Sequence, residues 1–363
     1  MLQCSALSNV GAEVTLYAKR TVREKENLEC QLKKIYGIDP TSMNLKTYYS
    51  RISLGDNARI AILALGSILA SSMGGAILSR NLHAAYVLGI VMRRPIIFET
   101  HQIETGIRRL MQRSLLTAPH IKTVLISGKL VEYLESDLNI RITNPIILHD
   151  AAPSGIKPLA KGSRRKVLQE ITKLQLNDSN PVCGYFGHLY RGRGIDIIER
   201  MARARGNVEF LVYGGNDKEL DEHRKTNKQS NLHFMGHAPH PIAQMVMRSV
   251  DVLLMPYQRQ VSIGTSGHDT ARWMSPMKMF EYMATSVPII SSDLPVLREV
   301  LRHNQNCLMA TPDNARAWIE ALDRLINNEA LGQLLGEQAH QDYLNHYTWD
   351  YRAKALLQEA QEL

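Results

Sequence analysis

Cysteine is scarce: four residues, at positions 4, 30, 183 and 307, with no CxxC pair and no His/Cys group at zinc-like spacing. A disulfide scaffold and a structural zinc site are excluded, and a reducing compartment is expected. Aromatics make up only 6% of the chain, and no basic block is interleaved with them. No nucleic-acid motif occurs, so a nucleic-acid partner is not expected despite the net charge of +8. No Asp-x-Asp pair is present, so no metal is implied. The N-terminus lacks a basic stretch followed by a long apolar run and does not read as a signal peptide, which favours a cytoplasmic location. One uncharged run, Ile60 to Leu78, could just span a bilayer. Its glycines and serines divide it more naturally into a buried helix, Ile60 to Ala70, and a short strand, Ala76 to Ser79. The positive charge fits a phosphate-bearing substrate, an anionic membrane face or a plain solvated surface.

What is present suits a two-domain α/β protein. The chain has 363 residues, 44% of them hydrophobic, enough for two cores at about 150 residues each. In the C-terminal half, apolar strands alternate with helix-period stretches. Strands read at Val182 to Phe186, Val208 to Tyr213, Leu232 to Met235, Val250 to Met255, Val287 to Ser291 and Cys307 to Ala310. Helices read at Met277 to Ala284 and Leu294 to Leu301, and another is expected to be capped by Thr311 with Pro312 in its first turn. This alternation implies crossovers and a parallel sheet. In the N-terminal half, a helix over Leu2 to Asn9 precedes strands at Glu13 to Tyr17, Ala76 to Ser79, Pro95 to Phe98, Thr123 to Ser127 and Pro145 to Leu148. A nucleotide-fold domain usually opens one strand and one glycine turn earlier, and that opening is not recognisable here. The expected division is a domain over residues 1–155, a polar linker over 156–180, a second domain over 181–345, and a helix over 346–363 crossing back to the first.

Four loops follow strand ends on one edge of the second sheet, the edge where open α/β sheets bind ligands. Gly187-His188-Leu189-Tyr190-Arg191-Gly192-Arg193-Gly194 combines a sharp turn with two guanidinium groups beside a helix start, which suits a diphosphate. Gly214 and the Gly236-His237 pair would let a flat ring approach the backbone; taken singly, they are ordinary turn residues. The strongest segment begins Ser275-Pro276-Met277-Lys278, a helix start whose free N–H groups would face an anion. Glu281 is placed to reach a ribose diol with its carboxylate, and Lys278 lies one turn before it. The alternative is a surface Lys/Glu pair on an ordinary helix.

The stretch SPMKMFEYMATSVPIISSDLPVLREVL resembles the donor-binding segment of glycosyltransferase family 4, retaining enzymes of GT-B fold. The resemblance continues through CGYFGHLYRGRGIDIIERMA, VEFLVYGG, LHFMGH, VDVLLMPY and YTWDYRAKALL, covering about residues 180–357. ALSNVGAEVTLYA, AILSRNLHAAYV, PIIFETHQ and VLISGKLVEYL are similar to the family's acceptor domain. The resemblance implies two Rossmann-like doubly wound domains facing across a cleft. It implies transfer of a sugar from a UDP-, GDP- or ADP-linked donor to a glycan or lipid-linked acceptor, without a metal or other cofactor. It assigns Arg193 and His188 to the donor diphosphate, Glu281 to the ribose, His237 to the base and His101 to the transferred sugar. Lys278 and Arg191 would add charge at the leaving group.

The family's first motif glutamate falls at position 273, where this chain has Trp273. On the acceptor side, Glu99 is either a ligand or an inward structural carboxylate. Arg80 and Asp150 stand at strand ends, and Glu299 reads as a solvated helix residue. Arg108, Arg109 and Arg113 would suit a lipid-linked acceptor at the inner membrane face. A catalytically impaired nucleotide-sugar-binding homologue and a GT-B epimerase are the competing readings.

Overall fold

A computed structural model describes residues 1–20, 30, 32–33, 39–49, 55–70, 75–261 and 269–363. The chain divides into two compact units, Met1–His149 together with Trp349–Leu363, and Asp150–Thr348.

In the first unit, β1 (Thr15–Arg20) and β2 (Asn44–Tyr49) form a parallel two-stranded sheet. β2 escapes the sequence reading because Asn44 and Lys46 interrupt its apolar pattern; the β-favouring Thr47-Tyr48-Tyr49 run was its one signal. A second sheet takes β3 (Leu78–Ser79), β4 (Ile96–Thr100), β5 (Ile121–Leu125) and β6 (Pro145–Ile147) in sequential order, all parallel. The helix Gly128–Leu138 begins where the Ser127 hydroxyl accepts the Leu130 N–H at 3.0 Å and stops at Asn139 in the left-handed region. The terminal helix Trp349–Gln361 buries Leu356 against Ile97 and Val124. Its Glu359 receives Lys122 Nζ at 2.8 Å. The uncharged run forms the helix Asp56–Ala70 and then β3; Ile62 is 70% exposed, so this helix has a solvent side. Among the described residues no helix is long and apolar enough to cross a membrane.

The second unit holds β7 (Val182–Phe186), β8 (Glu209–Tyr213), β9 (Leu232–Gly236), β10 (Val252–Met255), β11 (Ile289–Ser292) and β12 (Leu308–Ala310). They form one parallel sheet in the order β12-β11-β10-β7-β8-β9. The chain winds outward from β7 to β9, then crosses back and places β10 beside β7, so the order reverses between those two strands. Both faces are covered. Val252 and Leu254 join one core cluster with Trp318, while Leu253 and Met255 join the other with Phe280 and Met283. Side chains alternate across the strand, so burial on both sides requires the unbroken apolar runs seen in the sequence.

Three local expectations change. Residues 161–172, inside the expected linker, form the helix Lys161–Thr172 of the second unit. Its Leu168 is fully buried in the core, so the basic surface hides an apolar stripe. The helix Ala315–Asn327 is capped by Asn314, whose side chain accepts from Arg316 and Ala317, not by Thr311. The Thr311 carbonyl instead takes the Trp318 indole N–H at 3.1 Å. Only Leu297–Glu299 is helical within the expected helix at 294–301, as a short 3-10 turn after Pro295. Glu299 is half-buried on that turn.

Leu168→Ala should lower stability by about 2–5 kcal/mol, as for other core truncations, read from the urea midpoint of the full chain. A residue in a true linker would leave the midpoint unchanged.

Candidate functional site

The site of the second unit forms where β7 and β10 part at their carboxyl ends. Their pairing runs only through Val252↔Cys183 and Leu253↔Gly184. Beyond it the Tyr282 hydroxyl accepts the Phe186 N–H at 3.0 Å and donates to the Leu254 carbonyl at 3.4 Å. This one side chain ties the helix Met277–Ala284 to both strands. The loops after β7, β8 and β10 close tightly around that point. Gly214, with φ of 121°, has its Cα against the Gly187 carbonyl, and Gly194, with φ of 78°, lies against the Pro256 carbonyl. A Cβ at either position would strike backbone.

Inside this frame sits Lys278. Its Nζ lies 4.3 Å from the Tyr185 ring centre and 4.6 Å from that of Tyr257. A Cβ on Gly187 would be 3.0 Å from the same atom, which places the ammonium beside the glycine turn. No ion pair or hydrogen bond to Lys278 occurs among the described residues. Burial, together with the neighbouring Arg193 guanidinium, pushes the ammonium well below the usual lysine value, with Glu281 opposing. Arg193 lies over Tyr257 at 5.2 Å and donates to its hydroxyl. Burial pushes the Tyr257 phenol up to about 12 against the pull of Arg193. His188 is stacked on Tyr190, ring centres 4.7 Å apart. Burial, then Arg193, Lys278 and His237, hold it below the usual histidine value, with Glu219 opposing.

The helix Met277–Ala284 begins with Pro276 and has no side-chain cap. The Ser275 hydroxyl is engaged elsewhere, accepting the Asp150 N–H at 2.9 Å. The Met279 N–H is taken by the Pro276 carbonyl at 2.9 Å, which leaves the N–H groups of Met277 and Lys278 and the Lys278 ammonium available to an anion. Met277 is 39% exposed at that end. Glu281, one turn on, is 8% exposed and meets His240, with 2.7 Å between Nε2 and Oε1.

Of the residues expected at the donor, Gly187, His188, Arg193, Gly214, His237, Ser275, Pro276, Met277, Lys278 and Glu281 all lie at the carboxyl ends of β7 to β10. Arg191 stands exposed on the loop, apart from the inner cations, because Arg193 takes the tyrosine-lined position. His237 is exposed at the end of β9. Tyr185, Tyr257, Tyr282 and His240 were missed. For Tyr185 and Tyr257 the available signal was a phenol at the end of an otherwise apolar strand, and for Tyr282 a phenol on a buried helix, since a buried hydroxyl needs a partner.

In the first unit, Arg80, Glu99 and His101 meet at the ends of β3 and β4. Glu99 is 3% exposed and faces Arg352, 3.2 Å away and equally buried. It also accepts from His101 Nε2 at 2.7 Å. A guanidinium can only donate, so the 3.2 Å contact from Arg80 falls on the Nδ1 lone pair of His101 and the hydrogen sits on Nε2. Both ring nitrogens are engaged. Glu99 is thus the inward structural carboxylate rather than a presented acceptor ligand. Burial pushes its pKa up, but Arg352, His101 and Arg80 outweigh it and hold the carboxyl at about 2.

Two parallel-sheet units of this kind define the GT-B fold, and residues 180–328 match the family model described as Glycosyl transferases group 1. The similar curated proteins include a phosphatidyl-myo-inositol mannosyltransferase of Mycobacterium leprae, 23% identical over 163 residues, which are 45% of this chain and 40% of that protein. The chain spans less than half the length of the curated relatives it matches. Among solved structures, Anabaena Alr3699/HepE in complex with UDP and glucose aligns with a TM-score of 0.72 at 14% identity, over all of this chain and 95% of that one. WaaG, a glycosyltransferase involved in lipopolysaccharide biosynthesis, aligns with a TM-score of 0.65 at 13% identity, over 98% and 93%.

Removing the carboxylate with Glu99→Gln leaves Arg352 buried and unpaired, which should cost about 3–5 kcal/mol. The wild type should hold this contribution above about pH 4.3, the unfolded value, and lose it as pH falls through the folded value of about 2. Urea melts of both proteins between neutral and acid pH check this: the gap between them should close in acid.

Proposed function

We propose that this chain is a retaining glycosyltransferase, moving a sugar from a nucleotide-sugar to a hydroxyl of a glycan or lipid-linked acceptor in cell-surface polysaccharide or glycolipid synthesis. One observation carries the reading: the Lys278 ammonium, packed against two tyrosine rings beside a helix start, has no ion-pair partner among the described residues. A diphosphate would supply one. As the sugar–phosphate bond breaks, charge grows on that diphosphate. Lys278, Arg193 and the N–H groups of Met277 and Lys278 would meet it, each such donor contributing about 2.7–4 kcal/mol in the transition state. Glu281 would take the ribose diol. With protein cations at the leaving group, the reaction needs neither a metal nor another cofactor. Front-face attack by the acceptor hydroxyl through an oxocarbenium-like state would retain the anomeric configuration. The HepE complex holds UDP, which makes UDP the first nucleotide to test.

A second reading is a nucleotide-sugar-binding homologue with impaired catalysis. Trp273 favours it, standing 7% exposed where a sugar-holding glutamate was expected, as does a His101 with both nitrogens engaged. Turnover assays of donor hydrolysis and transfer separate the two.

The acceptor side favours peripheral contact with the inner, anionic face of a membrane. Ile107 and Leu110 are 76% and 62% exposed on the helix Ile107–Thr117, among Arg108, Arg109 and Arg113. Arg108 pairs with Glu104 and Arg109 with Asp137, which leaves Arg113 as the exposed charge outside those pairs.

Wild type should bind UDP, GDP or ADP by calorimetry. Lys278→Met should weaken the bound nucleotide about 10–100-fold, the range for hydrogen bonds to charged groups, without lowering the melting temperature. Because the free ammonium is depressed and an anion restores its proton, affinity should fall as pH rises through the Lys278 pKa. Binding there should take up a proton, seen as a buffer-dependent heat. Unchanged affinity in Lys278→Met sinks the reading. Separately, the protein should co-sediment with anionic but not neutral liposomes at low salt, and Ile107→Ser with Leu110→Ser should weaken this; indifference to anionic liposomes removes the membrane contact.

A further inference from the structure

The nucleotide reading explains Glu281 but leaves His240 without a task. His240 opens the helix His240–Met247, four residues beyond the end of β9. Pro239 precedes it, and the Pro239 carbonyl accepts the Ala243 N–H at 2.9 Å, which fixes this first turn. The helix belongs to the crossover that carries the chain from β9 back to β10, the step that creates the switch point. From there the imidazole reaches Glu281 on the helix that follows β10, with 2.7 Å between Nε2 and Oε1. A carboxylate only accepts, so Nε2 carries the hydrogen and donates it.

We propose that His240 is a positioning residue for the nucleotide's ribose, holding the Glu281 carboxylate so that its remaining lone pairs meet the diol. This rests on the reading of the pocket as a nucleotide site. A glutamate side chain has three rotatable torsions, and freezing them when a ligand arrives reduces affinity. Here the freezing is done in advance. Oε1 is tied to the imidazole, and Oε2 has no partner among the described residues. Each carboxylate oxygen accepts more than one hydrogen bond, so the diol can use Oε2 and the second lone pair of Oε1 without displacing His240. The neighbouring cation does not compete: Lys278 attracts Glu281 electrostatically but makes no ion pair with it among the described residues. The contact also acts on the histidine, whose hydrogen bond to Glu281 raises it above its usual value against the opposing effect of burial.

His240 is partly exposed, its side chain retaining 39% of its free surface. Its replacement should therefore leave the fold intact, which a melting temperature verifies. His240 thus differs in role from His237, three residues earlier at the end of β9, which the family resemblance assigns to the base.

The test uses the full chain with UDP, GDP and ADP, and with the 2′,3′-dideoxy form of whichever nucleotide binds. In His240→Phe, affinity for the ribonucleotide should fall about tenfold through lost preorganisation, while affinity for the dideoxynucleotide stays within about twofold of wild type, because that ligand has no diol for Glu281 to hold. His240→Gln, which keeps an N–H donor, should recover most of the loss. An equal loss on both ligands would show that His240 acts on the phosphates or the fold, and no loss on either would show that Glu281 needs no anchor; each overturns the proposal while the nucleotide site stands. A wild-type protein that binds none of the three nucleotides overturns the site itself.

Discussion

The second unit depends on how β7 and β10 separate. Parallel neighbours that part at their ends leave backbone groups without ladder partners, and such groups are costly when buried. The Tyr282 hydroxyl resolves this by taking one group from each strand, the Phe186 N–H and the Leu254 carbonyl. Because Tyr282 lies on the helix Met277–Ala284, the same contact sets where that helix begins. The position of Lys278, of the first-turn N–H groups and of Glu281 follows from one buried phenol.

The cations gathered at that helix start have an energetic consequence. Lys278 is packed against aromatic faces and repelled by Arg193, with Glu281 as its nearest compensation. Ring quadrupoles offset part of the lost hydration of an ammonium, by about 0.5–2 kcal/mol, but an anion would offset far more. Positive charge is thus concentrated without being neutralised, at some cost in stability. Under the proposed function, that concentration would serve as electrostatic preorganisation for a departing diphosphate. The glycine contacts keep the loops close enough to hold it, since Gly194 and Gly214 leave no space between neighbouring backbones and a side chain at Gly187 would press on Lys278.

The first unit treats its charges in the opposite way. Glu99, Arg352, His101 and Arg80 partner one another, and Glu99 and Arg352 are almost wholly buried. Arg352 also donates to the His149 carbonyl at 3.0 Å and to Gln3. One guanidinium therefore joins the N-terminal helix, the strand end at Glu99 and the C-terminal helix of the same unit. Groups engaged this fully hold a structure in place, whereas Lys278 of the second unit has aromatic faces around it and no ion-pair partner among the described residues.

The sequence by itself determined the alternation of strands and helices, most strand positions in both halves and the segments lying at the strand ends. It could do so because strands buried on both faces must be continuous apolar runs, and turns at strand ends demand glycine or proline. It did not reveal β2, whose polar residues break that pattern, or the helix at 161–172, whose apolar stripe is diluted by basic residues. Asn314 was passed over as a cap because Thr311 and Pro312 offered the same local signal. Only the tertiary structure decided which side chains meet across long separations: Tyr282 with Phe186, His240 with Glu281, Arg352 with Glu99. Local composition carries no record of such pairings. They arise when a doubly wound sheet brings the ends of distant strands together, and it is there that the chemistry of this protein is set.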